Sequence, residues 1–498
     1  MRTLVEEIRK GNQVRQQFIA LKESLKEASD KDAFLGIIHY DMDFFRTYLN
    51  SEDPKVRKNV IQIIGILELS QLTDDLIGAY FEEQTQFLKA EYVKVLGQFD
   101  VSPYKKLLRE RYEQLMETPV AESSKKHVSA ELRELRALIS RLGEMKKHQF
   151  IGGDTRSVMI FTTLSGKERY LKRVIDEAIG EGKTTLVKGG VKVISSDYET
   201  LSKIRCYQEI LFVIPKVGLL KGSAAQMAQQ LKNAGLMDYI RERVSGSSAI
   251  PYRMELRGFL EEKEAQHFRK QMSQELEHMT EYALINDPAQ YELEFRFHKS
   301  RKEDGCHVYL KFSLLKDERF AYRTHALSSS MQPYVAAMMA EITKDYVEDW
   351  GQMLDPFCGV GTLLTECNYN RHAHSIYGVD LFKDAVTIAI QSAKQTHMDI
   401  HYVHKDMADF SHDYLFDLVI TDLPCVSPKM DKSRIHAIYT TFLDKCDEWL
   451  KESGIISVYT KSPAILEEVI AGQHKFRLIT HTQMYKNQKA CLYLLKRV

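Results

Sequence analysis

At a typical domain size of about 150 residues, the 498 residues make room for roughly three domains. With 44% hydrophobic and 28% charged residues the chain can build ample core, which excludes wholesale disorder. Lys plus Arg and Asp plus Glu both number 69, so the formal net charge is zero and any nucleic-acid contact must use local basic patches.

The opening segment, MRTLVEEIRKGNQVRQQF, is charged throughout and lacks the apolar core of a secretion signal. No apolar run reaches the ~20 residues that span a bilayer, so no membrane attachment is expected. The seven cysteines are an odd number without a Cys-x-x-Cys pair, which predicts a reduced, cytoplasmic chain with neither a disulfide framework nor a Cys-based zinc site. The histidines show no His-x-x-x-His or His-Glu-x-x-His pattern, so no metal is expected.

To about Phe150 the chain has helical patterning and almost no strand signal. VRKNVIQIIGIL, from Val56, aligns with LKAEYVKVLGQF, from Leu88, at an offset of 32 residues, and Asp53-Pro54 marks a helix start. The pattern resembles HEAT-type helix pairs and fits an ordinary helical bundle equally well. Glu117 to Ser129 reads as a loop, followed by a charged helix over roughly Ala130–Lys147. From Ser157, short runs rich in Val, Ile, Phe and Tyr (VMIFTTL, LVKGGVKVI, EILFVIP, YRMELRGF, YELEFRFH, CHVYLKFSLL) alternate with amphipathic helices, predicting small α+β units. From about Ser328 a regular βα alternation begins.

Four strands of this last section each end in an acid. WGQMLD ends at Asp355 and runs into Pro356-Phe357-Cys358-Gly359-Val360-Gly361-Thr362, a tight glycine turn opening a helix. Glycines let backbone approach a ligand closely, and a helix N-terminus favours electron-rich groups. Leu364 stands where the dinucleotide fingerprint wants Gly or Ala, which argues against NAD. SIYGVD ends in Asp380, placed to bond ribose hydroxyls; IHYVHKDMAD brings Asp406 to a strand end, and FDLVITDLP brings Asp422. In open α/β sheets ligands sit beyond these carboxyl ends. Cys358 and Cys425 read as packed thiols rather than nucleophiles.

This order resembles the class I S-adenosylmethionine-dependent methyltransferases. DPFCGVGTLL, YGVDL and ITDLP are similar to the RNA methylases (UPF0020 type) that carry a THUMP domain and methylate the exocyclic N2 amine of guanosine. Upstream, SGKERYLKRVIDEAI to IRCYQEILFVI resembles their ferredoxin-like module, and YRMELRGF to RFAYR their THUMP module. The resemblance implies a helical region (1–148), a ferredoxin-like module (155–216), a THUMP-like RNA-binding module (217–326) and a Rossmann-like, seven-stranded methyltransferase domain (327–498), whose last strand inserts antiparallel. It implies S-adenosylmethionine held by Asp355, Phe357, Cys358, Gly359, Gly361 and Thr362 at the turn, by Asp380 and Leu381 at the ribose, and by Asp406 and Met407 at the adenine. Asp422, with Leu423 and Pro424, would hold and deprotonate the amine. The substrate implied is RNA, tRNA foremost, with a protein partner for the N-terminal helices a further expectation. The basic clusters Lys167, Arg169, Lys172, Arg173 and Arg296, Lys299, Arg301, Lys302 become candidate phosphate contacts. One departure stands out: Cys425 occupies the position where the family places an aromatic residue for base stacking, followed by Val426-Ser427-Pro428-Lys429 in place of Gly-x-Arg. It opens two alternatives, a cofactor- and RNA-binding scaffold without catalysis, or a methyltransferase acting on ribosomal RNA or protein.

Overall fold

The computed structural model describes residues 1–498 except 26, 118–123, 143–147, 247, 324, 326–329, 348–349 and 486–488. Helices fill the N-terminal part, from Arg2–Arg9 to Lys125–Arg141, around a core of their own that includes Phe18, Phe34, Phe45, Ile64, Tyr80 and Leu135. Asp53 caps the helix Pro54–Ile66 by accepting from the Lys55 amide (2.8 Å), with Pro54 supplying a preset φ where no N–H is needed. The two aligned segments pack against each other as the helices Pro54–Ile66 and Gln86–Leu96. A Cβ on Gly65 would lie 3.1 Å from a Val95 methyl, so the helices approach closely at that glycine. Glu131 is fully buried, and its carboxylate accepts from Tyr80 Oη (2.7 Å), Arg111 Nε (3.0 Å) and Gln86 Nε2 (2.5 Å), which ties the last helix to the bundle. That helix starts at Lys125, five residues earlier than its sequence suggests; the remainder of the expected loop, 118–123, lies outside the described residues.

The central part holds β1 (Ser157–Thr162), β2 (Thr184–Val187), β3 (Gly190–Ser195), β4 (Glu209–Val213), β5 (Ile250–Arg257), β6 (Leu284–Asn286), β7 (Leu293–Lys299) and β8 (Cys306–Phe312). LVKGGVKVI folds as the hairpin β2–β3, its turn taken by Gly189 at φ +79°. The eight strands form one sheet, ordered β2-β3-β1-β4-β8-β7-β5-β6, which runs across both the ferredoxin-like (155–216) and THUMP-like (217–326) stretches expected from the resemblance. Antiparallel pairing of Phe212 with Leu310 and Val213 with Tyr309 joins the halves, so β4 and β8 cover each other's open edges.

The C-terminal sheet contains β9 (Gln352–Asp355), β10 (Ser375–Asp380), β11 (His401–His404), β12 (Phe416–Asp422), β13 (Leu450–Thr460), β14 (Phe476–Gln483) and β15 (Cys491–Arg497). Their order is β11-β10-β9-β12-β13-β15-β14, parallel from β11 to β13, with β15 antiparallel to both its neighbours. It is a methyltransferase-like α/β fold. The strand order reverses at β9, between β10 and β12, so their carboxyl ends open a crevice at the switch point. Among the described residues no helix is long and apolar enough to cross a membrane.

Candidate active site

A cavity of about 380 Å³ opens in that crevice. It is bounded by the glycine turn, by the ends of β9, β10 and β12, and by the segment after β12. Asp355, Phe357, Cys358, Gly359, Thr362, Asp380, Asp422, Leu423 and Pro424 line it, nine of the thirteen residues expected from sequence.

The turn is held by its neighbours. Asp380 Oδ2 accepts from the Gly359 amide and Oδ1 from the Phe382 amide, both at 2.8 Å, so one carboxylate joins the turn to the end of β10. Gly361 begins the helix Thr362–Asn370 at φ +79°, and a Cβ there would stand 2.2 Å from Tyr402 Oη. The same ring, projecting from β11, leaves no room for a Cβ on Gly378 (2.7 Å). Tyr402 is therefore the wedge beneath the turn, and it demands glycine at both positions. Its sequence context, IHYVH, gave no sign of this role.

Asp355 is buried beneath the cavity. Its Oδ1 accepts from the Phe357 amide (3.0 Å) and from Thr421 Oγ1 (2.6 Å). Burial pushes its carboxyl up to about 7, with the charges of Asp380 and Asp422 adding to the rise. Burial likewise raises Asp422 to about 7, opposed by the Lys461 ammonium. Lys461, just past β13, lines the cavity and was not anticipated; a lysine directly after GIISVYT was the available signal. The segment after Asp422 is braced from two sides. The Leu423 amide donates to Tyr459 O (2.9 Å), and Tyr439 Oη, from the helix Lys432–Trp449, donates to Pro424 O (2.7 Å). Cys425, half-buried, lines the cavity with Met430 and Met331.

Gly361, Leu381, Asp406 and Met407 do not line the cavity. Leu381 turns outward, while Phe382, one residue on and 70% exposed, borders the opening. Asp406 caps the short helix Met407–Asp409, accepting from the Ala408 amide (2.9 Å), and Met407 is buried in the core behind β12. The basic clusters are largely engaged within the protein. Arg296 is buried among Glu294, Glu255 and Glu209, Lys299 pairs with Glu264, and Lys167 donates to Thr482 Oγ1 (2.5 Å). Arg173 binds Glu341 (2.9 Å) and Asp345 (2.6 Å), and Lys172 pairs with Asp176.

Thr362 lines this cavity, and its buried Oγ1 finds no partner among the described residues. Residues 321–490 match the model of the UPF0020 family, described as an RMKL-like methyltransferase domain. This unit is a methyltransferase domain. The chain is similar to a tRNA (guanine(10)-N2)-dimethyltransferase of Methanothermobacter thermautotrophicus, 25% identical over 171 residues, 34% of this chain and 50% of that one. It is also similar to the type II methyltransferase M.MvaI of Kocuria varians, 26% identical over 167 residues, 32% of each chain. The chain thus spans half or less of the length of these curated relatives. In fold it is similar to TrmN from Thermus thermophilus, with a TM-score of 0.54 at 18% identity over 68% of this chain and 99% of that one. A second likeness is to SMU.472, solved in complex with SAH, with a TM-score of 0.50 at 14% identity over 71% of this chain and 99% of that one.

Proposed function

We propose that this chain methylates the exocyclic N2 amine of a guanosine in tRNA, using S-adenosylmethionine. The observation that carries the reading is the position of Asp422. Its carboxyl lies at the cavity, across from the glycine turn, with Leu423 and Pro424 braced behind it. The name of the archaeal relative, a tRNA guanine-N2 dimethyltransferase, points to the same acceptor.

The cofactor, when bound, supplies an electrophilic methyl carbon on a sulfonium centre. Asp380 would take the ribose hydroxyls, and Asp355, the glycine turn and Thr362 would hold the methionine end. Phe382 would form an apolar wall for the adenine, and Asp406, beyond β11, remains the candidate acceptor for the adenine amine. Conjugation draws the guanine amine's lone pair into the ring, so the amine must be turned to present it. Asp422 and the Leu423 carbonyl each accept one of its N–H groups and so align it for in-line attack. As the new N–C bond forms and the C–S bond breaks, the nitrogen becomes acidic and Asp422 takes its proton. A carboxyl held near 7 suits that exchange at neutral pH.

The test is incubation of purified protein with labelled S-adenosylmethionine and separate pools of tRNA, ribosomal RNA and protein. Label in tRNA guanosine, lost in Asp422→Ala, is expected. Label confined to ribosomal RNA or protein would contradict the reading. Cofactor binding with no pool labelled would favour a scaffold, the reading that Cys425 in place of an aromatic residue supports.

A further inference from the structure

If the chain methylates tRNA, as proposed above, the target base must leave its stack to reach Asp422, and its nucleotide then brings two flanking phosphates to the cavity mouth. The basic clusters prominent in the sequence are mostly spent on internal ion pairs. At the mouth the balance differs. Beyond β12, Lys429, Lys432 and Arg434 stand within six residues, and Lys461 follows directly on β13. All four are exposed, and among the described residues none of the four side chains makes an ion pair or a hydrogen bond.

Their backbone is fixed. The Ser427 and Met430 amides donate to each other's carbonyls, both at 3.0 Å, so Pro428 and Lys429 form the tip of a tight turn whose two flanks line the cavity. Asp431 then caps the helix Lys432–Trp449, accepting from the Arg434 amide (2.8 Å), which places Lys432 and Arg434 in its first turn. The segment is tied to the end of β13, because the Val426 amide donates to Ser462 Oγ (3.2 Å) and the Ser462 amide to Thr460 Oγ1 (2.9 Å). Lys461 sits between these two anchored residues and is the one cation among those that line the cavity, beside Asp355, Asp380 and Asp422. Acids border the surface as well. Asp431 adjoins Lys432, and Glu468 lies 3.9 Å from His436, one turn further along the helix. From Leu423 to His436 the segment still holds three cations against one acid, in a chain whose net charge is zero. The cavity itself is lined largely by apolar side chains, Met331, Phe357, Phe382, Leu423 and Met430 among them, which suits rings rather than phosphates.

We infer that Lys429, Lys432, Arg434 and Lys461 bind the phosphates flanking the target nucleotide. The backbone then holds the extruded base in place, in a chain that has Cys425 and no ring to stack on it at that position. Such contacts carry no sequence information; they set affinity and register. An acidic peptide would satisfy the same charges, but the place of the cations around the cavity that receives the base favours the nucleotide's own phosphates.

The test uses the full chain, fluorescein-labelled unfractionated tRNA and a salt titration, comparing wild type with K429Q/K432Q/R434Q. The three positions are exposed and lie outside the cavity lining, so S-adenosylhomocysteine should bind as in wild type. The slope of log K against log salt should become shallower by about two to three, with about 0.7–0.9 of it from each single variant. The tRNA KM at low salt should rise by about tenfold or more. R9Q/K55Q/K94Q, an equal charge loss at exposed positions on the N-terminal helices, should leave the slope as in wild type. Wild-type tRNA binding with an unaltered slope in K429Q/K432Q/R434Q would overturn the assignment while leaving the RNA reading intact, and so would an equal loss of slope in R9Q/K55Q/K94Q. Wild-type protein that neither binds nor methylates tRNA would overturn both. Loss of binding to labelled polyglutamate, with tRNA affinity retained, would give these cations to an acidic protein and also overturn the inference.

Discussion

Arg205 grips Glu366 with both ends of its guanidinium, Nε to Oε2 at 2.6 Å and Nη2 to Oε1 at 2.8 Å, across the junction between the central and C-terminal sheets. Glu366 is fully buried on the helix that opens at the glycine turn, and Tyr322 Oη donates to it as well (2.7 Å). The guanidinium also stacks on Tyr369, 3.9 Å from the ring centroid. The helix that presents the turn is therefore braced by a residue of the preceding module. Breaking a buried pair on one side leaves an uncompensated charge, at a cost of roughly 3–5 kcal/mol. Arg205→Met should lower the thermal midpoint of the full chain markedly, and Arg205→Met/Glu366→Leu should recover much of the loss. Additive losses in that cycle would show that the pair is not coupled.

The Tyr402 wedge makes a second prediction. Gly361→Ala places a Cβ against the Tyr402 hydroxyl at a φ of +79°, so the turn must shift. Affinity for S-adenosylhomocysteine, measured by calorimetry, should fall at least tenfold. Adding Tyr402→Phe removes the nearest clashing atom and should restore part of it; no recovery would place the cause elsewhere.

Acid-base behaviour supplies the third. With Asp422 raised to about 7, kcat/KM should climb about tenfold per pH unit below 7 and level off above it. Lys461→Met removes the ammonium that opposes the rise, so the midpoint should move to higher pH. The linkage sign follows. Asp355 and Asp422 titrate higher in the folded chain than the ~3.9 of an unfolded aspartate, so the folded state holds extra protons between about pH 4 and 7. Their contribution to stability is full below that window and is lost as pH rises through it. Relative to wild type, Asp422→Asn should gain thermal stability as pH goes from 5 to 8. A constant difference would contradict the assignment.

Thiol chemistry provides the fourth. Cys358 and Cys425 both line the cavity, but burial pushes the Cys358 thiol well up, whereas Cys425 is half-buried. Iodoacetamide, followed by peptide mass spectrometry, should label Cys425 and spare Cys358. S-adenosylhomocysteine should slow labelling of Cys425 but not of half-buried Cys491, which lies away from the cavity. Equal protection of both would argue against the ligand's proposed seat.

Much of the C-terminal architecture is legible because it is local. β9, β10 and β12 are short, largely apolar runs ending in an acid, and the glycine turn follows directly on Asp355. What eludes the sequence depends on contacts between distant segments. The β4–β8 pairing joins residues about a hundred positions apart, and β6 is only three residues long. The inward Arg296 reads as a surface charge in the sequence because two of its three acidic partners, Glu209 and Glu255, are remote in the chain. At the site, Leu381 and Phe382 are adjacent apolar residues, and only the course of the chain after β10 decides which borders the cavity. Asp406 sits near the end of β11 as its position implies, yet its carboxylate is engaged in capping the next turn.

The central claim is that the crevice between Asp355, Asp380 and Asp422 is built for S-adenosylmethionine, and calorimetry with S-adenosylhomocysteine tests it most directly. One site per chain is expected, weakened by about a hundredfold in Asp380→Ala through loss of charge-assisted bonds. A correctly folded chain that gives no binding heat, or binding indifferent to Asp380→Ala, would contradict it.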